Sequence, residues 1–415
     1  MCPPPLAEAA VGSRTGLLAC LCLSLCIVSA VSTSEGQAGR PVLLYSSNLP
    51  LDDPAIRYFE LTPDNAVTRL TNSGPGDLSD LLERLGVGSD SQLLVFSKTS
   101  FQADKISPRN PRAIYFNDDV AVGWVRGSPS MEVAAFDRRQ GVVFYTFNAD
   151  KAGFTRQQAC LHCHQGPATL GVPGIFVGSV YPNSAGQPSA TAAIITDHRT
   201  PFGDRWGGWY VNAARGEQPD RANAVAPDPA EPAALEKLTV KFNSAGYLTP
   251  VSDIVALMTF EHQTQMTNLI TRLGWESRIG GEPDIEPIVD YMLFADEARL
   301  REPVEGAGAF TKTFPLRGPR DRRGRSLRDF DLNTRLFRYP LSYMIYSAAF
   351  DELPDAVRER VYRRLYSILS GQDQSAKFAG LSLEDRRGIL EILGETKANL
   401  PKWWGGAVAG KPPGL

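Results

Sequence analysis

The sequence predicts an α+β protein, with a β-rich first half and a mostly helical second half. Two observations support this fold class. Between residues 92 and 211, short runs of apolar and β-branched residues alternate with turn-forming segments such as 126–129 and 137–141. From residue 251 onward, apolar residues recur at helical spacing instead. The 415 residues suffice for two domains with sizeable cores.

The first half, residues 31–215, is predicted to form one mixed, β-rich domain. Strands are expected at 42–45, 92–96, 120–125, 131–136 and 142–147, and a short helix is expected at 78–85. Further strand-like runs follow at 174–181, 190–196 and 209–211. The three central runs are joined by short turns, which indicates an antiparallel meander.

Residues 216–233 are rich in Pro, Ala, Asp and Asn, which is the composition of a linker. The helical domain 234–400 follows, and its longest helix is predicted at 251–273, with Thr249 as N-cap and Pro250 at the first helical position. Further helices are expected at 286–300, 335–349, 355–369 and 383–397. The Gly- and Pro-rich tail 401–415 is predicted to be flexible.

The first thirty residues have the pattern of a cleaved signal peptide. Arg14 precedes an apolar run at 17–28, and small residues follow, so cleavage is expected after Ala30. The run is too short for a membrane span and no later stretch is long enough, while lipid attachment at Cys20 is the alternative. A net charge of −3 argues against nucleic acid as a partner. These features predict a periplasmic or secreted protein without a transmembrane span.

Cys160, Cys163 and His164 form a Cys-x-x-Cys-His motif, which is the attachment signature of c-type haem. In that chemistry the two thiols add to the haem vinyl groups, and the adjacent imidazole becomes an iron ligand. The sequence holds six cysteines, and all but this pair lie before the expected cleavage point. A redox-active cysteine pair or half of a zinc site are the alternatives, but no second cysteine pair follows in the sequence. The motif therefore predicts one covalently bound haem c.

The ligand on the opposite side of the iron is left open by the sequence. His262 is the first candidate, because it interrupts the apolar face of the predicted helix 251–273. A hydrogen-bonded core histidine would give the same pattern. His198, Met266 and Met258 are the other candidates. An iron without a protein ligand on that side would be open to ligand binding or catalysis.

A buried haem also needs cations for its propionates and flat aromatic surfaces against its rings. Arg199, Arg205, Trp206 and Trp209 follow one another closely in the sequence. They are predicted to contact the cofactor, and a polar loop with two core tryptophans is the alternative.

Several longer runs resemble a family of large secreted bacterial proteins, each with one c-type haem motif and generally without assigned function. These runs are 107–119, 196–211, 261–263 and 337–343. The resemblance covers most of the mature chain and implies haem binding and export, but no substrate. The arrangement is also faintly similar to β-rich sensory domains that carry a c-type haem. A standard small class I cytochrome c is not expected, because the motif lies mid-chain between β-rich segments.

Three functions are compatible with these predictions. An exported monohaem cytochrome that transfers electrons to or from an unidentified redox partner protein is the leading one. A haem-dependent oxidoreductase, peroxidase- or oxygenase-like, would need an open or displaceable sixth ligand, and a redox or gas sensor would need an output module. The segment 317–328 holds six arginines and is expected to be a solvated loop or a docking surface for an acidic redox partner.

Overall fold

Seven antiparallel strands form one large sheet in the first half of the protein. The strands in the described residues are β1 Leu93–Val95, β2 Arg112–Phe116, β3 Val120–Val125, β4 Ser130–Asp137, β5 Gly141–Asn148, β6 Gly153–Arg156, β7 Val177–Ser179, β8 Ile194–Thr196, β9 Trp209–Tyr210, β10 Ala213–Ala214, β11 Ala224–Val225, β12 Glu236–Lys237 and β13 Glu305–Gly306. The large sheet has the order β6-β5-β4-β3-β2-β1-β9. The remaining strands form three two-stranded sheets, namely β7-β8, β10-β13 and β11-β12.

Helices dominate the second half. Its helices are α4 Ile254–Arg278, α5 Glu286–Met292, α6 Phe310–Thr313, α7 Ala348–Asp351, α8 Asp355–Leu369 and α9 Leu383–Thr396. The first half has α1 Pro54–Glu60, α2 Pro75–Arg84 and α3 Leu161–His164. The computed structural model describes residues 51–60, 75–148, 153–189, 193–214, 216, 218–228, 234–240 and 242–404. The predicted signal peptide 1–30, Cys20 included, the strand expected at 42–45 and residues 405–415 lie outside the described residues. The α+β fold class is confirmed.

Side chains alternate between the two faces of the large sheet, and each face is buried in its own apolar cluster. Tyr115 and Val122 pack on one face together with residues of α2. Phe116 and Phe144 point to the other face, where they pack with α4 and the following helices. Burial on both faces explains why residues 120–125 are nearly all apolar rather than strictly alternating. The sheet thus separates two cores, and the described helices from α4 onward pack into the core on the Phe116 and Phe144 side.

The meander predicted from the sequence is confirmed, because β3, β4 and β5 pair in that order with short turns between them. Strand β2 was not predicted. Its residues follow two prolines, Pro108 and Pro111, and the run 107–111 has the composition of a loop. The pairing of β2 with β1 and β3 supplies the backbone hydrogen bonds that stabilise this short segment.

Helices α8 and α9 lie within one residue of their predicted bounds, whereas two other predicted helices are wrong in length or type. Helix α5 ends at Met292, because Phe294 and Asp296 have positive φ angles of 56° and 62°. The predicted helix 335–349 is mostly irregular. Pro340 lacks the backbone N–H that a helix interior needs, and short turns begin instead at Ser342 and Ser347, whose side chains accept backbone N–H groups.

Helix α4 begins three residues later than predicted and ends five residues later, at Arg278. Its N-cap is Asp253, whose carboxylate accepts the backbone N–H groups of Val255 and Ala256 at 2.8 and 3.2 Å. The prediction of Thr249 as N-cap is therefore wrong, since its hydroxyl instead donates to the carbonyl of Val251. A carboxylate also suits the positive end of the helix dipole. The helix is buried along most of its length between the sheet and the later helices.

Replacing Asp253 with alanine is expected to lower the free energy of unfolding by about 2 kcal/mol. The substitution removes both capping bonds and the bond from the Gly308 N–H to the same carboxylate. Asp253→Asn keeps an acceptor oxygen and should lose less. Urea denaturation of both variants checks the prediction, and equal stability of the alanine variant and the wild type would contradict it.

The predicted linker and tail contribute contacts where they are described. Gln218 accepts the Arg301 N–H and donates to the Glu302 carbonyl, which ties the start of the 216–233 segment to the second half. At the other end, Trp404 is buried against α8. The described residues all fall within one compact unit. None of the helices in the described ranges combines the length and the apolar character that a bilayer crossing requires.

Candidate haem site

The Cys-x-x-Cys-His motif lies on one short helical segment directly after the edge strand β6. A single 3-10 turn, Gln158–Cys160, leads into α3. The backbone N–H of Gln157 donates to the Phe144 carbonyl, so the sheet holds the segment in place. Cys160 is half-buried against the core and Cys163 is exposed, and both are free thiols. Cys163 is therefore open to a reagent from solvent, whereas Cys160 is partly covered.

His164 is held with one ring nitrogen engaged and the other unengaged. Its Nδ1 lies 3.0 Å from the Gly174 carbonyl oxygen. Because a carbonyl can only accept, Nδ1 carries the proton and Nε2 carries the lone pair. The ring packs between Phe144 and Phe176, at centroid distances of 4.8 and 5.3 Å. Burial lowers the pKa of His164, which keeps the imidazole neutral at pH 7. In the described part of the chain, Nε2 has no hydrogen-bond partner.

His162 occupies the same segment but a different environment. It is exposed, and its Nδ1 lies 2.9 Å from the Ala159 carbonyl oxygen of the preceding turn. The motif thus contains two histidines, and only His164 is packed between aromatic rings. His162 is a natural control for experiments on His164.

Arg112 and Glu132 form an ion pair beside the motif that was not predicted from the sequence. Burial raises the pKa of the Cys160 thiol to about 11; Glu132 adds to this shift and Arg112 opposes it. The guanidinium lies over Gly123, where a Cβ atom would collide with it. The one sequence signal for this contact is Gly123 inside the predicted strand 120–125. A glycine within a strand often marks a place where another group lies close to the backbone.

These residues fit a covalently attached haem. One exposed and one half-buried thiol lie on the same helical segment as a neutral imidazole. A hydrogen bond from Nδ1 to a carbonyl commonly orients a histidine that ligates a metal through Nε2. No group of three or more His, Cys, Asp or Glu side chains within the described ranges could hold a metal ion. A haem requires no such group, since the porphyrin supplies four of the iron ligands.

The structure brings together His198 and His262, which are two candidates for the sixth ligand, and it pairs them with each other. Their Nδ1 atoms are 2.9 Å apart, and His262 Nε2 lies 2.7 Å from the Ser342 hydroxyl oxygen. Both rings stack on Tyr291 and Phe294. Burial lowers the pKa of His198 well below its usual value and that of His262 to about 3, so both are neutral at pH 7.

The hydrogen bonds of this pair limit what its members can ligate. Both nitrogens of His262 are engaged, so iron ligation by His262 requires that one of these bonds break. His198 Nε2 is buried and has no hydrogen-bond partner. Met258 and Met266 are both buried in the apolar core. The identity of the sixth ligand stays a prediction.

Arg205 and Trp206 lie beside the histidine pair. Arg205 is 2% exposed, and it donates to the carbonyls of Thr200 and His198 and to the carboxylate of Glu261 at 3.3 Å. Trp206 is fully buried and packs edge-on against Phe202. These groups therefore belong to one buried polar cluster around α4.

Arg199 and Trp209 complete the set predicted to contact the cofactor. Arg199 pairs with Asp197 and lies over the Tyr291 ring. The Trp209 indole N–H donates to the Gly178 carbonyl.

The buried polar cluster around Arg205 and the segment that carries the Cys-x-x-Cys-His motif lie beside different parts of α4. Glu261 pairs with Arg205, whereas Asn268 bonds the backbone of Ile175, next to the carbonyl that holds His164. Seven residues separate Glu261 from Asn268, which corresponds to about 10 Å along the helix.

The six arginines of the segment 317–328 are paired within the chain. Their acidic partners are Asp90 for Arg317, Asp329 for Arg320, Glu395 for Arg322, Glu391 for Arg323, Asp321 and Glu391 for Arg325, and Asp118 for Arg328. The positive charge of this segment is therefore largely compensated where it lies. This pairing gives no support to the expectation of a docking surface for an acidic partner.

Comparisons of the chain with family models, with curated proteins and with solved structures find no match.

Proposed function

We propose that this protein is an exported c-type monohaem protein that carries electrons. One observation carries the proposal. Cys160, Cys163 and His164 lie on one helical segment, with one half-buried and one exposed thiol and with His164 Nε2 unengaged. This is the donor set that covalent haem attachment requires.

Each of these residues would have a separate role in holding the haem. Cys160 and Cys163 would bind the haem through thioether bonds, and His164 would ligate its iron through Nε2. Gly174 would fix the orientation of that imidazole, and Phe144 would limit its rotation. The bound haem would supply one-electron chemistry at its iron. Attachment to exposed Cys163 would leave one edge of the cofactor near the surface, where a partner protein can exchange electrons.

Export is the second part of the proposal. Haem is attached to c-type cytochromes outside the cytoplasm, and the N-terminal pattern with cleavage after Ala30 is that of a secretory signal. The periplasm or the extracellular space is therefore the proposed location.

A haem enzyme or a gas sensor is the second candidate, and one observation favours it. His262 and His198 hydrogen-bond each other through their Nδ1 atoms, and His262 Nε2 also bonds the Ser342 hydroxyl. Both ring nitrogens of His262 are therefore engaged away from an iron. If neither histidine ligates the iron, and neither Met258 nor Met266 does so, the sixth position is open to a small molecule. Optical spectra of the reduced protein with and without CO distinguish the two: an unchanged low-spin spectrum supports the carrier, and a CO adduct supports the alternative.

The attachment itself is tested by producing the full chain with its signal peptide in a periplasm that has haem-attachment machinery. We expect the wild-type protein to keep haem-dependent peroxidase staining after denaturing electrophoresis. Cys160→Ala and Cys163→Ala together should abolish that stain. His164→Ala should remove most of it, since the iron loses its protein ligand.

His162→Ala is the matched control, because it changes an exposed histidine of the same segment. It should stain like the wild type. Wild-type protein that is exported in folded form without covalent haem would overturn the proposal. So would equal staining of the wild type and the double cysteine variant.

A further inference from the structure

The sheet face that turns toward α4 is covered unevenly. Phe116 and Phe144 are buried there, whereas Arg112, Glu132 and Thr146 lie on the same face and are only half-buried. The register explains their closeness, since Glu132 lies opposite Thr146 on one side and opposite Gly123 on the other. This half-buried part of the face is a polar surface beside the Cys-x-x-Cys-His motif.

We infer that this surface is the floor on which the attached haem lies and that Arg112 binds a haem propionate. The inference rests on the proposed function. It replaces Arg199 and Arg205, the cations expected from the sequence, with one from strand β2.

The geometry of Arg112 suits a carboxylate ligand. Its Nη2 pairs with the Glu132 carboxylate, while its Nε is buried and has no hydrogen-bond partner in the described part of the chain. An arginine presents its donors as a planar fork that matches a carboxylate in two parallel bonds. Gly123 leaves the space that the guanidinium occupies, because a Cβ atom there would collide with it. The guanidinium is therefore held flat on the sheet with an unused donor.

The position of the pair relative to the motif supports the same assignment. Glu132 lies opposite Thr146, which is two residues along β5 from Phe144 on the same face, and the Phe144 ring packs against His164. Arg205, by contrast, already donates to three acceptors of its own cluster. All three nitrogens of the Arg205 guanidinium donate within that cluster, whereas Arg112 keeps one buried nitrogen, Nε, without a partner in the described residues.

The test is the reduction potential of the haem-loaded protein, measured by spectroscopic redox titration. A cation beside a propionate favours the reduced haem, whose net charge is more negative. Arg112→Gln should therefore shift the one-electron equilibrium about tenfold toward the oxidised form, which is a fall of about 59 mV. The propionate should also protonate at higher pH, so the pH-dependent part of the potential should move upward.

Arg138→Gln is the matched control, because Arg138 is an arginine on the turn between β4 and β5 that pairs with Asp52. The reduction potential of the Arg138→Gln variant should equal that of the wild type. Arg112→Lys keeps the charge without the fork and should give a smaller fall. Glu132→Gln removes the competing acid and should raise the potential.

The outcomes separate the two proposals. Equal potentials and equal pH profiles for Arg112→Gln and Arg138→Gln, with haem attached in both, would overturn the inference and leave the proposed function intact. If Arg112→Gln fails to accumulate, an unchanged potential in Glu132→Gln overturns the inference, and a raised one supports it. A wild-type protein without covalent haem would overturn the proposed function and this inference with it.

Discussion

Replacing Arg205 with methionine is expected to destabilise the protein by about 3–5 kcal/mol at neutral pH. Arg205 and Glu261 are 2% and 0% exposed, and their ion pair lies inside the core. Removing the guanidinium leaves the Glu261 carboxylate buried without its cation. It also removes donors from the carbonyls of Thr200 and His198. Denaturant unfolding followed by circular dichroism measures the loss.

The pH dependence of this loss follows from the carboxylate. Burial already raises the pKa of Glu261, and Arg205 opposes that shift. Without Arg205 the pKa rises further, so the folded variant takes up a proton that the unfolded chain releases. The variant should therefore regain stability, relative to the wild type, as the pH falls from 8 to 5.

Arg199→Met is the control for this experiment. Arg199 is 44% exposed and pairs with Asp197, so its loss should cost at most about 1 kcal/mol. The double variant Arg205→Met with Glu261→Leu replaces both charges and should recover much of the stability. Equal destabilisation by Arg199→Met and Arg205→Met would contradict the assignment of a buried, structural ion pair.

The second large effect is expected from acid. Burial lowers the pKa of His262 to about 3 in the folded protein, and the unfolded value is 6.5. The unfolded chain therefore binds more protons than the folded protein between these values. Stability contributed by the neutral histidine is fully present above pH 6.5 and is lost as the pH falls toward 3, by about 1.4 kcal/mol per pH unit. His198, whose pKa is also lowered, acts in the same direction.

Buried acids oppose this trend and must be separated from it. Burial raises the pKa of Glu297 to about 7, so its protonation stabilises the folded state as the pH falls from 7 toward 4.5. Glu261 acts in the same direction as Glu297. The decisive measurement is therefore the difference between the wild type and His262→Gln, in which the acids are unchanged.

Between pH 6 and pH 4, the unfolding free energy of His262→Gln should fall less steeply than that of the wild type, by about 1.4 kcal/mol per pH unit. Parallel curves for the two proteins would show that His262 is not buried as a neutral residue. His162→Gln, at an exposed position, should leave the wild-type slope unchanged.

Elements with strong local signals could be predicted from the sequence. Helices α8 and α9 are amphipathic, and α9 begins with a capping box between Ser382 and Asp385. The meander is encoded by apolar runs separated by turns. The segment 335–349 has helical spacing too, but Pro340 and the serines that accept backbone N–H groups break it into turns. The local sequence pattern therefore predicted a helix correctly where capping residues and apolar periodicity agree. The prediction was wrong where the two conflict.

The residues of the candidate site also differ in whether the sequence could predict them. Cys160 and His164 are the ends of one five-residue segment, so their chemistry could be predicted directly from the sequence. Arg112 and Glu132 come together only through the pairing of β2, β3 and β4, and β2 itself was not predicted. His198 and His262 are 64 residues apart, and no local pattern indicates that they bond each other. Long-range register and packing decide such contacts, and a single sequence does not report them.

The internal pairing of the arginines in 317–328 has a consequence for encounter kinetics. A steering field acts over a Debye length, about 8 Å at physiological salt, and it requires charge that is not compensated nearby. Since each of these arginines has a carboxylate beside it, a protein approaching this face meets alternating charges rather than a uniform field. Association through this face would then proceed at the unsteered rate of about 10⁵–10⁶ M⁻¹s⁻¹ and respond only weakly to salt.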